Sequence, residues 1–237
     1  MDIDSSFDFR NDSNGKDPDS HSPTLRKYHQ FLWSKELPNG DFLNIEEIRS
    51  TLVYRFNMQT IRFSSDSISN SYFENKKAAH LIPQIPQFEF EEFRDRGSTI
   101  GGFTIFPSQR VNGKMTLNGA RGLNSKIADR FDLTLECIRR HYLKQDNPLQ
   151  ANLNLPFNRF FFAMFGNFAG YVDFFHFQDL VDSNHETVKF FTRFEKPFEQ
   201  SPIPQTQSEY IEYKRSALEF LILRNKRIED WSRKRSN

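Results

Sequence analysis

Apolar residues recur along this chain with two different spacings, and the change of spacing divides it into halves. In the first half they come in short runs. Thr51-Leu52-Val53-Tyr54-Arg55-Phe56 and Thr60-Ile61-Arg62-Phe63-Ser64 predict two strands. Phe103-Thr104-Ile105-Phe106 and Lys114-Met115-Thr116-Leu117 flank Asn112-Gly113, a dipeptide that favours a tight hairpin turn. Pro107 has no N–H to give a ladder, so an edge strand or a bulge is expected there. Residues 81–88, with two prolines, read as a loop or edge. In the second half the spacing becomes helical. Ile127, Phe131, Leu135, Ile138 and Tyr142 step by four, four, three and four residues, which makes one apolar stripe. Residues 156–175 predict a second helix, apolar most of the way round and therefore a core element. Thr206-Gln207-Ser208-Glu209 fits a capping box and opens a third helix that runs through Trp231. Thr187–Phe191 adds a further strand. The expected fold is α+β: a small, mostly antiparallel sheet packed against three aromatic-rich helices. Residues 1–24 read as an N-terminal arm and 25–237 as a single domain.

Composition supports a real core. The chain has 237 residues, of which 27 are Phe, and each buried ring removes roughly 150–250 Å² from water. Its 32 Lys and Arg nearly balance 31 Asp and Glu, so no whole-chain charge argues for nucleic acid or membrane. Cys137 is the only cysteine, which excludes an internal disulfide framework and a multi-thiolate zinc site. The acidic first twenty residues lack the pattern of a signal peptide. No apolar run approaches the ~18 residues of a membrane span. A cytoplasmic protein without a membrane partner is expected.

Three groups of residues carry candidate chemistry. Asp129, Asp132 and Glu136 have spacings that suit a divalent metal in a nuclease; their plainer reading is a solvated helix face laced with pairs such as Glu136–Arg140. Residues 94–144 hold ten Lys and Arg against four Asp and Glu, a local excess suited to phosphate or nucleic acid. Within it Arg110, Arg121 and Lys126 are the candidate phosphate ligands, Arg121 beside the Asn118-Gly119-Ala120 turn. The third group is Tyr28 and His29 with Ser64, Ser65, Asp66, Ser67 and Tyr72. An imidazole and hydroxyls there suit a nucleotide; the plainer reading is a hydrogen-bonded core histidine and a cap for a short helix over 68–75.

Two resemblances bear on function. Phe9-Arg10-Asn11-Asp12, Gly15-Lys16-Asp17-Pro18-Asp19, Tyr28 to Lys35 and Asp129 to Tyr142 resemble a family of uncharacterised bacterial proteins across nearly the whole chain. Within residues 25–75, His29 followed by Ile61-Arg62-Phe63-Ser64-Ser65-Asp66-Ser67 and Tyr72 is similar to ADP-ribosyltransferases of the diphtheria-toxin-like and poly-ADP-ribose type. That resemblance implies NAD as co-substrate and no metal. His29 would then hold the ribose and Tyr72 flank nicotinamide, within a set completed by Tyr28, Ser64, Ser65, Asp66 and Ser67. Glu136, helical by spacing where the family has a late strand glutamate, stands as the catalytic carboxylate. A toxin or phage-defence effector acting on nucleic acid, with an antitoxin or other protein partner, is the implied role. A non-catalytic interaction module and a metal-dependent nuclease are the alternatives.

Overall fold

The computed structural model describes residues 2–69, 72 and 75–236. Its first segment does not hang free. Phe9 is fully buried and meets Tyr28 and Phe103 edge-on at 5.7 and 5.6 Å. Two helices follow at once, α1 (Pro18–His21) and α2 (Pro23–Trp33). Each opens on the same device: Asp17 and Ser22 cap the first turn with their side chains, and a proline with preset φ stands next.

Short strands β1 (Lys35–Glu36) and β2 (Phe42–Leu43) pair with each other. A four-stranded antiparallel sheet then runs in the order β3 (Ile45–Ile48), β4 (Thr51–Phe56), β5 (Gln59–Ser67), β6 (Phe103–Pro107). The β4–β5 turn is Asn57-Met58, both at positive φ (44° and 65°), as a two-residue hairpin requires. Pro107 ends the edge strand, opposite Phe63. Along β5 the two-residue repeat sends Ile61, Phe63 and Ser65 into the core.

The second half is helical: α3 (Gln87–Gly97) precedes β6, and α4 (Leu117–Leu123), α5 (Phe131–Tyr142), α6 (Gln150–Leu153), α7 (Pro156–Ala163), α8 (Phe168–Phe174) and α9 (Gln207–Ser236) follow it. Phe161, Phe165, Tyr171, Phe175 and Phe177 form a connected ring cluster with centroid separations of 5.0–6.0 Å. Arg224 of α9 is fully buried and has no carboxylate partner among the described residues; it donates instead to the carbonyls of Gly101, Phe103 and Phe175 at 2.8–3.3 Å. The long helix is thereby bolted to the sheet edge. No helix among the described residues is long and apolar enough to cross a membrane.

Several sequence expectations are corrected. The single helix over 156–175 is two, broken where Gly166 takes φ 73° and Asn167 caps the next turn. Phe103–Pro107 pairs with β5 rather than with 114–117, and Leu117 begins a helix. The first amphipathic helix starts at Phe131, not Ile127, because Ala128 and Asp129 are left-handed (φ 46° and 64°). Residues 87–97 are helical, and Val188 makes only an isolated bridge with Val181. The short helix expected over 68–75 falls largely outside the described residues. The capping box of α9 is present with a one-residue shift: Thr206 Oγ1 accepts from the Glu209 N–H, and the Glu209 carboxylate accepts from Gln205 N–H at 2.6 Å.

Candidate functional site

The C-terminal end of β5 is where charge collects. Strand alternation turns Asp66 away from the core face that holds Ser65. The left-handed backbone at Asp129 brings a second carboxylate toward it, and the one-turn helix α1 supplies Asp19. Between them stands Arg121, fully buried at the end of α4. Its guanidinium donates to Asp66 Oδ2, to Ser67 O at 3.1 Å, to Asp129 O at 2.7 Å and to Thr134 Oγ1 at 3.1 Å, with Asp129 Oδ1 at 3.1 Å. One central guanidinium thus faces three carboxylates. Burial first, then the neighbouring Asp66 and Asp17 charges, push the Asp19 carboxyl up to about 8. Burial likewise pushes Asp66 up to about 6 against the pull of Arg121.

These groups open on two adjoining clefts of about 870 and 480 Å³ that share Ser67, Ser69, Arg94 and Asp129. The smaller holds Asp19 and Asp66. The larger carries Lys76 and Lys77 on its wall. Lys76, Lys77 and Arg94 make no ion pair with the described residues, and they share a hollow of ligand size with Asp129. Carboxylates whose affinity for protons is raised in a cleft are the physical mark of a reactive site.

Of the residues singled out in the sequence, Asp66, Ser67 and Asp129 reach the clefts. His29 does not. It lies on α2, is fully buried, and receives a hydrogen bond on Nδ1 from Trp33 Nε1 at 3.0 Å. Nε2 therefore carries the hydrogen and donates to Ser65 Oγ at 3.0 Å. Burial, helped by the Arg224 charge, holds this imidazole down at about 3. Tyr72 is buried against Tyr213 with centroids 5.0 Å apart, and its hydroxyl meets Pro202 O at 3.4 Å. Tyr28 is a core ring whose hydroxyl accepts from Asp4 N, and Ser64 accepts from Asn118 Nδ2. The pocket expected between His29 and Tyr72 is thus filled by protein. His29→Ala is expected to cost about 2–4 kcal/mol, because Trp33 N–H and Ser65 each lose a buried partner. Urea unfolding checks this; a ribose ligand would instead lose nucleotide affinity with stability unchanged.

The acidic and basic candidates are corrected together. Asp132 and Glu136 are buried, not solvated. Asp132 holds Arg130 at 3.0 and 2.5 Å and accepts from Phe191 N at 2.8 Å. Glu136 is clasped by Arg139 and Arg140, both at 2.7 Å, which satisfies the expected Glu136–Arg140 pair and leaves no free catalytic carboxylate there. Asp129 faces Arg121, so the three carboxylates do not converge. Among the described residues no group of three or more His, Cys, Asp or Glu is arranged to hold a metal ion. Arg121 binds protein rather than ligand, and Arg110 and Lys126 are exposed but line neither cleft. Arg121 and Arg130 are interior, as are Asp132 and Glu136, so the basic excess of 94–144 rests on the other eight Lys and Arg, of which Arg94 reaches the clefts.

Asp19, Lys76 and Lys77 escaped sequence reasoning, whereas Arg94 opens the basic segment 94–144 that reads as suited to phosphate. Only Asp19 left a local trace, the Asp17-Pro18 helix start. No curated protein and no solved structure gave a match to the chain. The model of one family does, along residues 3–228, and so nearly the entire chain, cleft included, belongs to the family of unknown function DUF6994.

Proposed function

We propose that the chain is an enzyme that binds a phosphate-bearing ribosyl compound in the Asp66–Asp129 cleft and acts at its ribosyl carbon. ADP-ribosyl transfer from NAD, the chemistry to which the sequence resemblance pointed, is one member of that class, relocated from His29 and Tyr72 to the aspartates. The observation that supports it is the meeting of charges at two adjoining clefts: Arg94 and Asp129 line both, Lys76 and Lys77 line the larger, and Asp66 lines the smaller. Uncommitted cations suit phosphate oxygens. Carboxylates suit ribose hydroxyls, and they stabilise the positive charge that develops as a glycosidic bond breaks. A nucleic-acid acceptor draws less support, because Arg110, Arg121 and Lys126 line neither cleft.

A thermal-shift series tests the reading. NAD and AMP are expected to raise the melting temperature of the wild-type chain, since a ligand of the native state must stabilise it. Asp129→Asn should keep that shift and lose turnover. Absence of any shift with either compound would leave the second reading, a protein-docking module. That reading has its own support in Ile222 and Leu223, about half exposed beside a groove between α3 and α9.

A further inference from the structure

Resting on the nucleotide reading of the cleft, we infer that Asp19 is the proton donor of the site and that its substrate is a nucleoside phosphate carrying a neutral base. Two hydrogen bonds lead from the core to Ser65, beside Asp19. The Trp33 N–H can only donate, so His29 Nδ1 accepts and Nε2–H must donate to Ser65 Oγ. Having accepted from His29, Ser65 keeps its own hydroxyl hydrogen free to donate, and its nearness to the Asp19 carboxyl favours the charged form of that group. Asp19 Oδ1 is buried and has no hydrogen-bond partner among the described residues, although Asp19 lines the cleft. An oxygen in that state is satisfied once it carries a proton and a substrate atom arrives to accept it.

The surroundings decide which form the group rests in. Asp19 faces Asp17, Asp66 and Arg121, and Arg10, Arg94 and Asp129 line the same cleft. Arg10 is itself paired with Asp8 and Asp95. The carboxylates outnumber the central guanidinium, and the resting cluster keeps a proton. Ser65, fixed from behind by His29 and Trp33, is a positioning residue that stabilises the carboxylate left after donation.

A proton-loaded acid distinguishes substrates by their leaving group. Nicotinamide is already cationic in NAD, and the electron pair of the breaking bond neutralises it without a proton. A neutral base cannot leave so easily. As its C1′–N bond breaks, the electron pair passes to the base while the Asp19 proton moves to a ring nitrogen. Water adds its oxygen to C1′ and gives a proton to Asp66, which returns it to Asp19. The products are free base and ribose phosphate, and the cycle closes without a further reactant.

The experiment is chromatographic detection of released base from AMP, GMP and NAD with the full chain. Adenine or guanine release is expected, with the rate falling as pH rises through about 8. Asp19→Asn should lose activity by about 100-fold or more. Ser65→Ala, lacking the donor that favours the carboxylate, should stay active with its alkaline limb moved to higher pH. Nicotinamide release from NAD with AMP and GMP untouched, or an unimpaired Asp19→Asn, would overturn the inference and leave the cleft reading standing. Failure of all three compounds even to bind would overturn both.

Discussion

Replacing Arg121 by Met is expected to destabilise the chain by about 3–5 kcal/mol, the usual effect of removing one partner from a buried ionic cluster. The guanidinium is fully buried and joins β5, the turn before α5 and α5 itself through Asp66, Asp129 and Thr134. Methionine fills much of the volume but leaves Asp66 and Asp129 facing Asp19 with no cation among them. The effect should depend on pH in a definite sense. Asp19 and Asp66 bind protons more tightly in the folded chain, at about 8 and about 6, than at the ordinary 3.8. Such groups contribute stability that is present below about pH 4 and lost as pH rises through the folded values. The variant should therefore lose most at pH 8 and recover part of its deficit at pH 5. Urea midpoints at the two pH values measure this; an equal deficit at both would mean that the carboxylates do not share a proton.

The second large effect is expected at Asp132. Asp132→Ala should also cost about 3–5 kcal/mol, since it strands the buried Arg130 guanidinium and orphans the Phe191 N–H. Arg130 is held on its other sides by Thr192 Oγ1 and Pro202 O, both at 2.9 Å, and it stacks 4.9 Å from the rings of Phe194 and Tyr213. Replacing both ends, Arg130→Met with Asp132→Leu, should recover part of the loss, because no buried charge is then left alone. A metal ligand at this position would behave differently. Asp132→Ala would then keep its stability and lose only a metal-dependent activity, and that result would reverse the assignment.

These two positions show where sequence patterning stops informing. The α5 stripe was legible because Phe131, Leu135 and Ile138 repeat with the helical period. The opposite face, with Asp132 and Glu136, looked solvated for the same reason. What covers it is the irregular segment that carries Phe191, Thr192 and Pro202, and irregular chain has no period to read. The β4–β5 hairpin was visible because each strand alternates locally, whereas Asn112-Gly113 turns without a second strand because β6 finds its partner in β5. The break between α7 and α8 could have been read from Gly166-Asn167, a left-handed position followed by a capping side chain. The two N-terminal helices likewise announce themselves as Asp17-Pro18 and Ser22-Pro23. The cleft is a harder case. Asp19, Asp66 and Asp129 come from a one-turn helix, a strand end and a left-handed turn, and nothing in the order of residues says that they meet. His29 and Ser65 were rightly grouped as neighbours, but their contact is sealed inside the core rather than open to a ligand.

The most direct test is calorimetric titration of AMP into the wild-type chain and into a Lys76→Ala, Lys77→Ala, Arg94→Ala variant at one fixed salt concentration. Saturable binding by the wild type, weakened about tenfold or more when the three cations are removed, is the expected result. Equal affinity in the two proteins, or no heat from either, would show that the hollow between the lysines and the aspartates is not a nucleotide site.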